Sequence, residues 1–165
     1  MTNVHFLSNL AIIPLLKFIF ALKQITQIIK MNISLEDMNK TSKGTMMEVL
    51  GIEYLVVESG YIKAKMPVDE RTHQPYGILH GGASVALAET IGSIGSAVIM
   101  AGKNVDVRGA SITANHVKAV KSGWVFGEAR TIHVGKNTHI WDIQIKDEAG
   151  DLVSTARLTN FILSK

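Results

Sequence analysis

Between Gly82 and Met100 the chain carries one ionisable side chain, Glu89, set among Ala86, Leu87, Ala88, Ile91 and Ile94. A buried, unpaired carboxylate is costly, so this one must face a cavity, take up a proton or reach water. Ser93 and Ser96 follow at i+4 and i+7, which puts all three on one helical stripe. That stripe is either a working face or the solvent face of the helix, and periodicity leaves both open. Just before it stands His80-Gly81-Gly82. Two glycines let backbone come close to a ligand, and the unpaired N–H groups and dipole of a helix start favour a developing negative charge. An oxyanion site for acyl transfer has this requirement, although a glycine-rich loop with a structural histidine has the same residues. Glu89 lies nine residues beyond His80, about 13 Å along a helix. One chain's His80 and Glu89 would struggle to act on one atom, whereas a site built across a dimer interface would solve the geometry.

The elements around these residues follow from pattern. Gly82 to Met100 is proline-free and apolar or small nearly all round, which predicts a helix enclosed by other structure. Ser34 with Asp37 predicts a short helix to about Thr41, and a second runs from Thr45 to Leu50, stopped by Gly51. Ile52 to Glu58 and Tyr61 to Met66 flank Ser59-Gly60 and read as a β-hairpin ended by Pro67, with a loop over Val68 to Leu79. Four further strands are expected at Val107–Val117, Trp124–Val134, His139–Lys146 and Leu152–Leu163, joined as a meander. Strands all round one apolar helix imply an α+β domain in which an antiparallel sheet wraps the helix.

Composition narrows the chemistry. The 165 residues are enough for one core, the 47% apolar and 19% charged content is that of a folded chain, and cysteine is absent. Disulfides, thiolate metal sites and a cysteine nucleophile are thereby excluded, and a reducing, cytoplasmic setting is expected. The net charge of +3 is accounted for by Lys17, Lys23 and Lys30 in an acid-free first thirty residues, so the remainder is neutral. That leaves no electrostatic footprint for nucleic acid. There is no Walker loop, no GxGxxG after a strand and no GxSxG elbow at Ser84, and the six histidines lack zinc-site spacing. No metal or other cofactor is expected.

Residues 1–30 form an apolar, basic extension interrupted by Lys17, Lys23 and Pro14, which argues against a bilayer span. The features of a signal peptide are not evident. Two readings remain, an interfacial amphipathic segment that would give membrane contact, or translated upstream sequence with Met31 as the start. The second is preferred because the globular pattern begins directly after Met31, giving a domain over 31–165.

The run Val68-Asp69-Glu70-Arg71-Thr72-His73-Gln74-Pro75-Tyr76-Gly77-Ile78-Leu79-His80-Gly81-Gly82-Ala83-Ser84, continued by Ala86-Leu87-Ala88-Glu89-Thr90-Ile91-Gly92-Ser93, resembles the hotdog-fold acyl-CoA thioesterases. The resemblance extends over most of residues 33–163. It is closest to the branch of 1,4-dihydroxy-2-naphthoyl-CoA thioesterases of menaquinone biosynthesis and enterobactin proofreading thioesterases. It implies a hotdog fold and hydrolysis of an aromatic acyl-CoA, with the naphthoyl thioester as leading substrate. A hotdog hydroxyacyl-thioester dehydratase and a non-catalytic acyl-CoA binding module are the alternatives. By resemblance, Glu89 is the catalytic carboxylate, attacking the carbonyl or activating water, and the Gly81 N–H polarises the carbonyl oxygen. His80 positions the thioester, Gln74 from the partner side orients the water, and Ser93 supports the site. The resemblance also implies a dimer of dimers with sites shared between subunits.

Near the later strand ends, His116, Lys118, Lys121, His133 and Lys136 could meet the phosphates of CoA, although a charge at a turn is commonly just solvated. The resemblance singles out His116, Lys118, His133, Gly135 and Lys136 as coenzyme contacts. The relatives tend to carry arginine where Lys118 and Lys136 stand, which puts bidentate phosphate binding in question.

Overall fold

The structure is a computed structural model that describes residues 34–165; the extension expected at 1–30 lies outside them. Two short helices come first, α1 (Leu35–Lys40) and α2 (Met46–Val49), the latter capped by the Thr45 hydroxyl accepting from the Met47 N–H at 3.3 Å. The hairpin β1 (Glu53–Glu58) and β2 (Tyr61–Val68) follows, then the two-residue strands β3 (His73–Gln74) and β4 (Ile78–Leu79). The long helix α3 (Gly81–Ile99) leads into β5 (Val105–His116), β6 (Gly123–Val134), β7 (Thr138–Asp147) and β8 (Leu152–Ser164).

Six strands form one antiparallel sheet in the order β1-β2-β6-β7-β8-β5, and α3 packs on every one of them. The inward positions, among them Ile62, Ala64, Met66, Val125, Ala129, Ile143, Ile145 and Leu158, are nearly inaccessible and close over Leu87, Ala88 and Ile91 of the helix. Small residues let the sheet come this near. A methyl group on Gly95 would stand 2.4 Å from the Trp141 ring, and one on Gly92 would stand 2.5 Å from Leu158. The helix is long and apolar enough to cross a membrane, and its contact with six strands accounts for that apolarity.

Three details differ from the sequence pattern. β2 does not end at Pro67 but runs to Val68, because β1 stops opposite Lys65 and leaves this stretch paired on one side only, where proline is tolerated. The expected loop after it contains the small β3–β4 hairpin. The last four strands are not one meander: β6, β7 and β8 are, but β5 lies at the far edge against β8. The reason is the link 117–122, too long for a tight turn. It crosses the end of the sheet, with the Val117 N–H donating to the Val153 carbonyl at 2.9 Å and the Val120 carbonyl accepting from the Leu79 N–H at 2.8 Å. β5 is thereby left as an exposed edge strand of 12 residues.

Candidate active site

The loop before α3 is strapped so that it presents the helix start. Buried Thr72 donates its hydroxyl to the Pro67 carbonyl at 2.9 Å, and the His80 N–H donates to the Thr72 carbonyl at 2.8 Å. His80 is the N-cap of α3, its Nδ1 accepting from the Gly82 N–H at 2.8 Å. A capping nitrogen must be unprotonated, so the neutral ring carries its proton on Nε2, on an exposed side chain. Of the two glycine amides, Gly82 is thus occupied. The Gly81 N–H has no acceptor among the described residues and stands at the positive end of a 19-residue helix.

His116, at the end of β5, lies beside the Gly81 α-carbon. A methyl group on Gly81 would meet the His116 Nε2 at 2.7 Å. The buried Ser154 hydroxyl lies 3.1 Å from His116 Nδ1 and 3.2 Å from the Asn115 carbonyl, which orients the imidazole. Gln74 is close in sequence to this corner, its Oε1 accepting from the Tyr76 N–H at 3.0 Å.

Glu89 sits two turns further along the helix, half-buried, and faces β5. A register shift between Gly109 and Ser111 brings the strand onto it, and a methyl group on Gly109 would stand 2.1 Å from Glu89 Oε1. Ser93 Oγ is 3.4 Å from the same carboxylate oxygen. Ser96, expected on the same stripe, is instead fully buried, accepting from Trp141 Nε1 at 2.8 Å and Asn160 Nδ2 at 2.9 Å. The stripe is therefore neither wholly solvent face nor wholly site: Glu89 and Ser93 are half open, and Ser96 anchors the sheet.

The proposed coenzyme contacts divide between the two ends of the sheet. His116 and Lys118 lie at the Gly81 end. Lys118 Nζ bonds Asp147 at 2.5 Å and Asp151 at 2.6 Å, which raises the lysine pKa and holds Asp147 below the usual carboxylate range. Within this chain its ammonium is already paired with two carboxylates. His133, Gly135 and Lys136 lie at the other end, where Gly135 and Lys136 line a cavity of about 350 Å³ that also reaches Met100, Lys103 and His139, and the His133 ring stands next to Gly135. Twelve residues of β6 separate these ends, roughly 40 Å at the rise of a strand. Lys121 is in the link between β5 and β6, its carbonyl 3.0 Å from His73 Nε2.

Three residues escaped the sequence reading. Gly109 was signalled by a glycine inside a β run, which marks a bulge or a close approach. Asn160 was signalled by a polar residue at an inward position, between Leu158 and Ile162. Ser154 occupies an inward position of the same strand and carried the same signal.

A six-stranded antiparallel sheet curled about one long central helix, with the helix presenting a lone carboxylate, is the hotdog architecture of thioester hydrolases. The thioesterase superfamily model matches residues 76–154. The proofreading thioesterase EntH of Klebsiella pneumoniae is 44% identical over 134 residues, covering 81% of this chain and 97% of its own. The 1,4-dihydroxy-2-naphthoyl-CoA hydrolase of Escherichia coli is 43% identical over 134 residues, covering 81% and 98%. The crystal structure of a Haemophilus influenzae thioesterase superposes with a TM-score of 0.76 at 41% identity, over 79% of this chain and 91% of that one. The chain belongs to the thioesterase superfamily and is a thioester hydrolase of the hotdog fold.

Proposed function

We propose that this enzyme hydrolyses an aromatic acyl-CoA, with 1,4-dihydroxy-2-naphthoyl-CoA as leading substrate, in a site completed by a second copy of the chain. The observation that carries the reaction is the pair of separate half-sites on α3. One is the free Gly81 amide at the helix start near His116; the other is Glu89 against Gly109, eight residues on, about 12 Å along the axis. The Gly81 N–H and the helix dipole would hold the carbonyl oxygen as it becomes negative. Glu89 of the other subunit would act on the carbonyl carbon, as base to a water or as nucleophile. His80 would offer its Nε2–H to the thioester, Gln74 would orient the water and Ser93 would support the carboxylate. The scheme requires no metal or redox cofactor.

The exposed β5 edge supports the shared site, since two copies could pair there antiparallel about a two-fold axis. Such a pairing would set the Gly81–His116 end of one chain beside the 133–136 end of its partner, giving one CoA both sets of contacts; two such dimers would make the tetramer. The aromatic acyl group rests on the E. coli relative's activity. The EntH relative is equally similar, so a proofreading role on other aryl thioesters is the second reading. A dehydratase would want a histidine beside the carboxylate, and within the chain His80 and His116 stand at the helix start instead.

Thiol release from a panel of benzoyl-CoA, 1,4-dihydroxy-2-naphthoyl-CoA and short and long aliphatic acyl-CoAs tests the proposal. A kcat/KM that is largest for the naphthoyl thioester is expected. A preference for aliphatic chains would overturn the substrate class, and binding without hydrolysis of any member would point to a binding module.

A further inference from the structure

We infer that Asn160 is a positioning residue that makes Ser93 a reversible hydrogen-bond partner of Glu89, donating to the carboxylate when it is ionised and accepting from it when it is protonated. The catalytic use of this device rests on the reading of Glu89 as the reacting group, whereas the linkage itself is a matter of geometry.

Asn160 is inaccessible to solvent, on the inner face of β8. Its Nδ2 lies 3.1 Å from the Gly92 carbonyl and 2.9 Å from Ser96 Oγ. A carbonyl can only accept, so the NH2 must face the helix, and both of its protons are engaged. A flip would set the Asn160 carbonyl against the Gly92 carbonyl, which can only accept, whereas the Ser96 hydroxyl could serve either orientation; the Gly92 contact is what fixes the amide. The remaining atom, Asn160 Oδ1, is thus locked as an acceptor, and it points at Ser93.

Ser93 Oγ lies 3.4 Å from Glu89 Oε1 and 3.5 Å from Asn160 Oδ1. One hydroxyl proton stands between two acceptors, each at the long end of hydrogen-bonding range. With Glu89 ionised, the carboxylate takes that proton, because a charge-assisted bond is roughly twice as strong as a neutral one. If Glu89 removes a proton from water, the water O–H bond breaks and its oxygen bonds to the thioester carbon. The new carboxyl O–H then donates to Ser93 Oγ, whose own hydroxyl turns to Asn160 Oδ1. When the C–S bond breaks, the proton passes to the departing sulfur and Ser93 turns back. Glu89 keeps a hydrogen bond in both states. No charged side chain on the facing strands competes at these inward positions. Asp106 with Arg108, at 3.3 Å, and Asp142 with Arg157, at 2.9 Å, pair on the outer face; the inward positions around this stretch are Gly109, Leu158, Asn160 and Ile162 with Trp141 and His139 of β7, and His139, in register with Asn160, is the titratable group among them, its pKa lowered chiefly by burial.

The test is a pH titration of the Glu89 carboxyl carbon by NMR in the full chain, assigned by its loss in Glu89→Gln. Ser93→Ala removes the donor, so its midpoint moves up. Asn160→Leu leaves Ser93 with Glu89 as its only acceptor, so its midpoint moves down. Each shift is roughly half to one pH unit, from hydrogen bonds of ordinary strength. The double variant follows Ser93→Ala alone. Shifts of the same sign, no shift, or a double variant equal to the sum of the singles would overturn the inference. Should Asn160→Leu fail to fold, Ser93→Ala still decides, since an unmoved midpoint there overturns it. Because the readout is titration, it separates this linkage from the enzymatic reading: opposite shifts in a chain that hydrolyses nothing would uphold the linkage and sink the reaction.

Discussion

Gly109→Ala is expected to separate activity from stability. The new methyl group would lie 2.1 Å from Glu89 Oε1, where ordinary contact begins at 3.4 Å, so the carboxylate must withdraw by more than an ångström. The fold accommodates this readily. Gly109 is exposed on an edge strand, its backbone lies outside the left-handed region, and the atom in the way is the end of a flexible side chain. Catalysis does not, because a displacement of about 1 Å at a reacting group costs on the order of 100-fold, or about 2.7 kcal/mol of barrier. Thiol release at saturating acyl-CoA, measured beside a thermal melt, should show kcat down by roughly 30- to 100-fold and Tm essentially unchanged. Full turnover in the variant, or loss of activity only in step with unfolding, would refute the reasoning.

Gly95→Ala should do the reverse. Its methyl group meets the buried Trp141 ring at 2.4 Å, and an overpacking cost of about 1–3 kcal/mol should exceed the ~1 kcal/mol gained in helix propensity. Differential scanning calorimetry should find a Tm several degrees lower. His139 is fully buried, neither of its ring nitrogens has a hydrogen-bond partner among the described residues, and burial, then Lys103 and His133, hold its pKa below the ordinary 6.5. The unfolded chain therefore binds this proton first, and its stabilising contribution, full above 6.5, is lost as pH falls through the lower folded value. Melts at falling pH should show that decline reduced in His139→Leu. Mixing Glu89→Gln chains with His80→Ala chains should restore about a quarter of wild-type turnover if each dimer site draws on both subunits; no recovery on exchange would mean that each chain holds a whole site.

The helix around Glu89 and the strands after it were legible because their periods and turn residues leave few alternatives. Strand order was less so, because the six residues 117–122 do not say whether β5 turns back onto β6 or crosses the sheet end to β8. The gap between His80 and Glu89 was visible as helix rise, and the contacts of Gly81 with His116 and of Glu89 with Gly109 place the two groups apart as that rise requires. Spacing could not show that Lys118 closes onto Asp147 and Asp151, since those carboxylates lie across a turn about thirty residues away. Nor could it show that Ser96 turns inward while Ser93 does not, because three residues of helix rotate one stripe from the sheet toward the open face.

The most direct measurement is thiol release by Glu89→Gln on the best acyl-CoA of the panel, with folding confirmed by an unchanged melt. Losing the carboxylate as base or nucleophile should lower kcat by on the order of 10³-fold, leaving KM within a few-fold. A folded Glu89→Gln enzyme with wild-type turnover would contradict the account at its centre.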